Sequence, residues 1–554
     1  MALLVDLFGY LSIVLHGLTI VAQSVALGSV LFIALLAQPL APRLGAAGPG
    51  IERGAARIAA WSAIGLIICE ALALALQTAV LVDTVDLGVW NVLGANFAIA
   101  GLARIAASGL IALLLFARLR HPPIVPLLAL AGIVIVAATF TTHAAARLDN
   151  RAPLLLVEVL HQAGAAIWIG GLPCFLLALA RVRGGEAARI IGERFSRMSI
   201  AGVACILASG ITMALFYVGD LQGFYGTAYG VMVTGKIAMF LMLLGLGAGN
   251  FLLIRQLRTD PATPIIRLRR FAEAELGIGI AIFFAAASLT SVPPAVDLLQ
   301  DRVTWQDIVQ RNMPQWPRLT PPDRDTLAVP ALQAKLDAEA ARPGGTRQWA
   351  VVPGSGEFPP RNAADIAWSE NNHHWAGLLV AAVGILALLN QAGLRWARHW
   401  PLLFLLLGGF LFLRSDPEMW PGGSIPFWDS LRDVEVLQHK SLVLLVSVLA
   451  VIEWRVRATR WNNRVAVLVF PLLCAVGGTL LLTHSHAIAN IRDQLLIEVT
   501  HTPLALAGIV AGWARWLELR LDPTANPVAI RVAGWIWPVC ILFCGLVLLD
   551  YRES

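Results

Sequence analysis

The amino-acid sequence predicts an all-α, polytopic membrane protein with roughly fourteen transmembrane helices in two bundles. The chain of 554 residues is 58% hydrophobic and only 14% charged, and its mean hydropathy is +0.73. These values are too apolar for an ordinary soluble protein. Apolar runs of about 20 residues, the length that crosses a bilayer as a helix, recur along the chain. Because backbone groups in lipid must be bonded within their own segment, such runs predict helices.

The predicted spans follow the apolar runs between polar or arginine-containing loops. They cover residues 8–38, 59–82, 98–118, 124–142, 155–181, 199–217, 229–253, 271–292, 373–393, 401–413, 439–454, 465–483, 501–517 and 532–549. The tenth span, 401–413, is the shortest. Its loss would invert the topology of everything that follows it.

The order of the spans predicts three regions. Residues 1–293 form an eight-helix membrane domain, residues 294–372 an outward loop or cap, and residues 373–554 a six-helix, histidine-rich membrane domain. The middle region is polar and proline-rich, which is typical of a loop. It also contains several tryptophans, so part of it is expected to pack on the membrane domain rather than to be disordered.

The arginines predict the orientation of the chain. The formal charge of +6 does not indicate nucleic-acid binding, because the arginines lie in short loops between apolar segments. One set of alternate loops holds 24 arginines, whereas the intervening short loops hold only Arg147, Arg151, Arg414, Arg432 and Arg492. The positive-inside rule places the arginine-rich loops in the cytoplasm, so both termini are expected to face outward.

The histidines are the strongest functional signal. Nine of the eleven fall at the outward face of the predicted topology. An imidazole is the commonest side chain that binds transition metals, and it is costly to bury in lipid without a partner. The pattern therefore predicts metal or haem ligation on that side. The candidate ligands are His16, His143, His161, His373, His374, His439, His484, His486 and His501.

In the first half, ionisable residues lie at a similar depth inside the predicted spans, around His16 and His161. Glu158 and His161 are three residues apart on one helical face, so the carboxylate could accept a hydrogen bond from the ring or help to hold a cation. Hydrogen bonding between helices is the alternative interpretation. The supporting residues predicted here are Arg104, Glu158, Lys236 and Met239. Lys236 is notable because a buried lysine can lose its proton and an arginine cannot.

In the second half, consecutive outer helix ends carry six of the histidines together with carboxylates. Helix bundles build metal and cofactor sites from facing helices, so these ends are expected to converge. A solvated rim of histidines is the alternative interpretation. The supporting residues predicted here are Glu370, Glu418, Met419 and Glu498. Imidazole with carboxylate or thioether ligands suits copper, zinc or iron, and paired histidines on neighbouring helices also suit haem.

Several strings resemble the copper resistance D (CopD) family, over approximately residues 1–295. They are Leu160-His161-Gln-Ala-Gly-Ala-Ala-Ile-Trp168-Ile-Gly-Gly-Leu172, Arg194-Phe-Ser196, Ser209-Gly210, Tyr225-Gly226 to Lys236, Asn250 and Arg270-Phe-Ala-Glu273-Ala-Glu275. The resemblance implies a multi-pass protein of the bacterial inner membrane that handles periplasmic copper, often with a periplasmic CopC-type copper-binding partner. It implies candidate ligands at His16, His143 and His161. The second half is similar to the extension of longer, fused members.

The same helical unit distantly resembles the HemJ-type protoporphyrinogen oxidases, which implies a membrane histidine and lysine around b-type haem. Three functions follow as expectations. The first is copper transport from the periplasmic side through the histidines, in the import direction, without catalysis. The others are a haem b oxidoreductase and a copper-delivery scaffold for oxidase assembly.

Overall fold

The computed structural model describes residues 2–118, 122–182, 185–343, 346, 348–352, 359–459, 461, 463–483 and 491–553. This part of the chain forms helices and no β-strand, and 80% of it is helical. Ten helical segments within it are long and apolar enough to cross a membrane, and Ile124–Thr139 and Ala466–Leu481 are shorter apolar helices. The predicted class, an all-α polytopic membrane protein, is confirmed.

Each predicted span lies on a helix. In chain order they are α1 (Ala2–Phe32), α2 (Gly48–Val85), α3 (Asn96–Ala117), α4 (Ile124–Thr139), α5 (Arg151–Arg181), α6 (Gly185–Tyr217), α7 (Ala228–Thr259), α8 (Ile266–Leu289), α9 (Ala363–Gln391), α10 (Leu403–Arg414), α11 (Val434–Ala458), α12 (Ala466–Leu481), α13 (Ile491–Arg520) and α14 (Pro527–Leu549). Several helices extend beyond the predicted span. For α9 the reason is a capping box, in which Asn362 and Asp365 bond each other's backbone N–H groups. This box starts the helix before its apolar part.

In the first half, α1 packs against α2, α5 and α8. Where α1 meets α5, the α5 backbone widens into a π-helical turn at Ala166–Gly170. A Cβ at Gly28 would lie 2.3 Å from the Ala166 carbonyl oxygen, and one at Gly170 would lie 1.9 Å from that of Ser24. The two backbones therefore touch, which requires glycine at both positions. Small residues allow such close helix crossings in membranes.

The second half joins the first through α13, which packs against both α7 and α8. The Trp513 ring lies over Gly277 of α8, and the Thr502 methyl group lies against Gly235 of α7. On its other side, α13 packs against α12 and α14. One helix of the second half thus lies directly against the helix that carries Lys236.

The segment between α8 and α9 contains two short helices, Trp305–Arg311 and Ala328–Ala340. It is tied to the first half, where the Val303 N–H donates to the Gly226 carbonyl at 3.1 Å and Arg302 pairs with Asp220 at 2.7 Å. These contacts hold the segment at one end of the bundle, where α7 begins.

The contact between α9 and α14 yields a test of the packing. A Cβ at Gly545 would lie 2.3 Å from the Ala381 nitrogen, whereas Gly477 of α12 has no atom within 4 Å of such a Cβ. Gly545→Ala is expected to lower the free energy of unfolding by about 1–3 kcal/mol through overpacking. Gly477→Ala is the matched control and should be neutral or slightly stabilising, since alanine favours a helix by about 0.5–1 kcal/mol over glycine. Thermal unfolding in detergent measures both. Equal effects of the two substitutions would contradict the close crossing.

Candidate functional site

A chain of buried polar side chains links four helices of the first half. The Arg104 guanidinium pairs with Glu70 at 2.8 Å and donates to the Gln23 amide oxygen at 2.8 Å. Gln23 donates to the Gln162 amide oxygen at 2.9 Å, and Gln162 donates to a Glu158 carboxylate oxygen at 3.3 Å. In hydrocarbon each unbonded polar group would cost several kcal/mol. This network therefore fixes α1, α2, α3 and α5 relative to one another.

His161 is held by α6 rather than by Glu158. Its Nδ1 lies 3.0 Å from the Ser209 hydroxyl, and that hydroxyl lies 2.6 Å from the Cys205 carbonyl oxygen. Because the Ser209 hydrogen goes to the carbonyl, His161 Nδ1 is assigned as the donor. The lone pair is then on Nε2, the atom that can bind a metal. A hydrogen bond on the other ring nitrogen is how metal-binding histidines are usually oriented.

Lys236 interacts electrostatically with both Glu158 and His161. Met239, one helical turn further along α7, is fully buried in a cluster with Trp168. The predicted grouping of Glu158, His161 and Lys236 is therefore observed. Two other hydrogen bonds take the place of one between Glu158 and His161. Glu158 accepts from the Gln162 amide, and His161 donates to the Ser209 hydroxyl.

His143 lies where α4 ends and α7 begins. Its Nε2 donates to the Leu289 carbonyl at 3.3 Å, which leaves the lone pair on Nδ1, and the Tyr217 and Tyr229 rings lie 6.2 Å from it. Burial lowers the pKa of His143, so the ring is neutral at pH 7. Both tyrosines also interact electrostatically with Glu158. Polar side chains thus continue from His143 inward to the Lys236 region.

His16 lies on α1 and interacts electrostatically with Arg104. Among the described residues its ring has no hydrogen-bond partner. Arg104 itself serves the ion pair with Glu70, so the structure gives it a role in holding helices together.

In the second half, His373 and His374 have different surroundings. His374 Nδ1 accepts from the Arg318 N–H at 2.7 Å, and its Nε2 donates to the Tyr551 carbonyl at 2.9 Å. Both ring nitrogens are therefore used to join the connecting segment to the end of α14. His373 Nδ1 donates to the Ser369 carbonyl at 2.9 Å, which leaves its lone pair on Nε2.

Tyr551 contacts two of the candidate histidines. Its ring stacks on His373 at 3.8 Å between centroids and meets the His501 ring edge-on at 6.4 Å. The N-terminal halves of α9 and α13 and the residues that follow α14 therefore converge, with the rings of both histidines near one phenol ring.

His439 belongs to a separate group at the α10 to α11 connection. Its Nδ1 donates to Asp416 at 2.7 Å, and Lys440 pairs with the other Asp416 oxygen at 3.1 Å. Burial opposes ionisation of Asp416, but the bond from His439 prevails and lowers the pKa of this carboxyl. Burial, with the nearby carboxylates of Asp365 and Asp416, raises the pKa of Glu418 to about 7.

The remaining predicted residues have local partners. Glu370 pairs with Arg318 at 3.3 Å, Glu498 accepts from the Thr502 hydroxyl at 3.0 Å, and Met419 is buried. His484 and His486 lie outside the described residues. Within the part of the chain that the structure describes, no three His, Cys, Asp or Glu side chains are close enough to hold one metal ion.

Sequence reasoning assigned no role to a buried triad near the opposite end of the bundle. Trp168 Nε1 donates to one Glu275 oxygen at 3.3 Å, and Asn250 donates to the other at 2.6 Å. The triad lines a pocket of about 300 Å³ between α5, α6, α7 and α8. The signal was present, because Glu275 is an acidic residue within a helix that spans the bundle. Glu70, the partner of Arg104, carried the same signal.

Fold and site together define a polytopic α-helical membrane protein whose interior holds histidines, carboxylates and a lysine. Residues 189–289 match the family model described as Copper resistance protein D. This segment includes Ser209, Lys236 and Glu275. The resemblance to the copper resistance D family is thus confirmed.

Two curated proteins are similar to parts of the chain. It is 32% identical over 163 residues to Copper transport protein CutJ of Bacillus subtilis (strain 168), which covers 29% of each chain. It is 26% identical over 181 residues to Copper resistance protein D of Pseudomonas syringae pv. tomato, which covers 30% of this chain and 58% of that protein. Less than two thirds of either relative is therefore matched. No solved structure matches the chain.

The Glu70–Arg104 pair predicts a non-additive effect on stability. Both side chains are almost fully buried. Arg104→Met alone leaves a buried carboxylate uncompensated and should cost about 3–5 kcal/mol of unfolding free energy, whereas Glu70→Met/Arg104→Met should recover most of the loss. Unfolding of the single and double variants measures the coupling. Additive losses would contradict a direct pair.

Glu418 predicts a pH dependence of stability. Its pKa is raised to about 7 in the folded protein, so folding favours the protonated form, and stability is lost as pH rises through about 7. Glu418→Gln should raise the melting temperature at pH 8 and change it little at pH 5. Asp301→Asn, at an exposed carboxylate, is the control and should show no such difference. A Glu418→Gln effect that is equal at both pH values would contradict the burial of this carboxyl.

Proposed function

We propose that this chain is a copper transport protein of the bacterial inner membrane that takes copper from the periplasmic side and moves it inward. The names of both relatives support copper as the cargo. The arginine bias supports a topology with both termini and the histidine-rich helix ends in the periplasm. Residues 1–293 and 373–554 are the two membrane domains of this proposal, and residues 294–372 form the periplasmic cap.

The orientation of His161 is the observation that carries the proposal. Its Nδ1 is bonded to Ser209, so Nε2 carries the lone pair inside the bundle. Imidazole nitrogen is a good ligand for copper, and the match to the copper resistance D family includes Ser209. An imidazole fixed in this way binds a metal without the entropic cost of ordering the ring.

The proposed path has an outer and an inner part. Copper is captured at the periplasmic rim, where the rings of His373 and His501 contact Tyr551 and where Asp416 orients His439. His484 and His486 belong to the same rim by their place in the sequence. His374 supports the rim structurally, because both of its ring nitrogens bond backbone groups.

From the rim, copper passes by ligand exchange to the deeper residues. His143 lies at the end of the first-half bundle, and electrostatic contacts through Glu158 and Lys236 lead from there to His161. His16 and Met239 are further ligands on α1 and α7 in this proposal. Lys236 repels an arriving cation when it is protonated, so its deprotonation favours the passage of copper.

A periplasmic CopC-type protein is the proposed donor. The capture residues lie where the connecting segment covers the bundle. A soluble donor reaches that end without entering the membrane. Transfer between proteins by exchange of histidine ligands needs no nucleotide.

Copper uptake into proteoliposomes tests the transport function. His161→Ala should lower the initial uptake rate by about tenfold or more, because it removes an oriented ligand. Uptake should also fall at acidic external pH, where protons compete for imidazole nitrogen, and because burial lowers the pKa of His143 the loss should come below the ordinary histidine pKa of about 6.5. His399→Ala is the matched control, since His399 is an exposed histidine whose Nδ1 accepts from the Trp454 Nε1–H at 3.0 Å, and it should leave uptake unchanged.

The same purified sample separates the alternative functions. Bound copper without uptake would replace transport by a delivery scaffold for oxidase assembly. A Soret band that sharpens on reduction would replace it by a b-type haem protein. Equal uptake by wild type and His161→Ala, with no dependence on pH, would contradict the histidine path.

A further inference from the structure

A second pocket lies at the other end of the bundle, where α9 ends and α11 approaches its end. Its volume is about 310 Å³. It is lined by Asn390, Gly393, Leu394, Arg395, Arg398 and Arg457. Three arginines thus border one cavity. Their positive charges repel one another, and a bound anion would offset this repulsion.

Arg457 is fixed with one nitrogen left over. Its Nε donates to Glu453 at 2.6 Å, and its guanidinium lies 4.9 Å from the Trp400 ring centre and 5.3 Å from that of Trp537. Its buried Nη2 has no hydrogen-bond partner among the described residues. An unsatisfied buried donor costs about 1–3 kcal/mol, more when it is charged, so a ligand that accepts from it is favoured.

Arg395 and Arg398 supply further uncompensated charge. Within the described part of the chain neither pairs with a carboxylate, and Arg398 Nε lies 3.3 Å from His399 Nε2. They are not needed to cap α9 either. The Ala392, Gly393 and Leu394 N–H groups already bond the carbonyls of its last turn, at 2.9, 3.0 and 3.0 Å, which is how a helix commonly ends.

Exposed tryptophans beside the pocket indicate that it lies at the depth of lipid headgroups. Trp396, in the same 3₁₀ segment as Arg395 and Arg398, is 61% exposed, and Trp461 beyond the end of α11 is 37% exposed. Tryptophans of this kind collect at the membrane interface. The arginine bias predicts that this is the cytoplasmic surface, where anionic lipids attract basic residues.

We propose that this pocket binds the phosphate of an anionic phospholipid headgroup at the cytoplasmic surface. The three guanidiniums provide several donors to phosphate oxygens, as in other arginine–phosphate sites. The bound lipid would link three elements: α9, α11 and the 3₁₀ segment that precedes α10. It would thereby stabilise the second half of the protein.

Thermal unfolding of the full-length protein in detergent tests the site. Short-chain phosphatidylglycerol should raise the melting temperature of the wild type, and short-chain phosphatidylcholine should not. In R395Q/R398Q the apparent affinity for phosphatidylglycerol should fall roughly tenfold to thirtyfold, since each arginine near the surface contributes a severalfold factor. R57Q/R255Q removes two exposed arginines from the same end and should respond like the wild type.

Other outcomes overturn the proposal. An equal response of wild type and R395Q/R398Q to phosphatidylglycerol would remove the pocket as the site. A shift produced by inorganic phosphate alone, at the same concentration, would replace the lipid by a free anion. If R395Q/R398Q does not fold, R395K/R398K keeps the charge but loses the forked donors, and it should bind phosphatidylglycerol more weakly than wild type. An unchanged affinity in that variant would refute arginine recognition.

Discussion

A polar group inside a bilayer has no water to bond, and this constraint shapes the interior of the protein. Arg104 would be very costly on its own in α3, so it pairs with Glu70 and bonds Gln23. Gln23 bonds Gln162, which leads to Glu158. The need to bond buried polar groups therefore helps to determine how the first helices pack, although the Arg104 Nε has no partner among the described residues. It also places the Glu158 carboxylate inside the bundle, on the same helix as His161.

The same constraint fixes the orientation and the tautomer of several histidine rings. A neutral imidazole has one donor and one acceptor nitrogen, and a bond to the donor decides which nitrogen keeps the lone pair. Ser209 does this for His161, the Ser369 carbonyl for His373 and the Leu289 carbonyl for His143. His374 is the exception, because the backbone uses both of its nitrogens. Histidines that look alike in the sequence thus divide into ligand candidates and structural supports.

The sequence predicted the helices well because the length and apolarity of a span are local properties. It found the ends less well, since polar extensions such as the start of α9 at Asn362 depend on capping rather than on hydropathy. It predicted one cluster around Glu158, His161 and Lys236, and Lys236 interacts electrostatically with the other two in the structure. It could not assign their partners, because Ser209 lies on another helix and only the packing of α5 against α6 reveals it. The pairing of Glu70 with Arg104 and the Trp168–Glu275–Asn250 triad likewise depend on which helices are neighbours.

The central claim is that imidazole nitrogens oriented by hydrogen bonds bind copper inside the bundle. X-ray absorption spectroscopy of the copper-loaded, purified protein tests it most directly. We expect outer-shell scattering from imidazole rings, with a smaller imidazole contribution in His161→Ala than in the wild type at equal copper loading. A spectrum without imidazole scattering, or one that His161→Ala leaves unchanged, would contradict the claim.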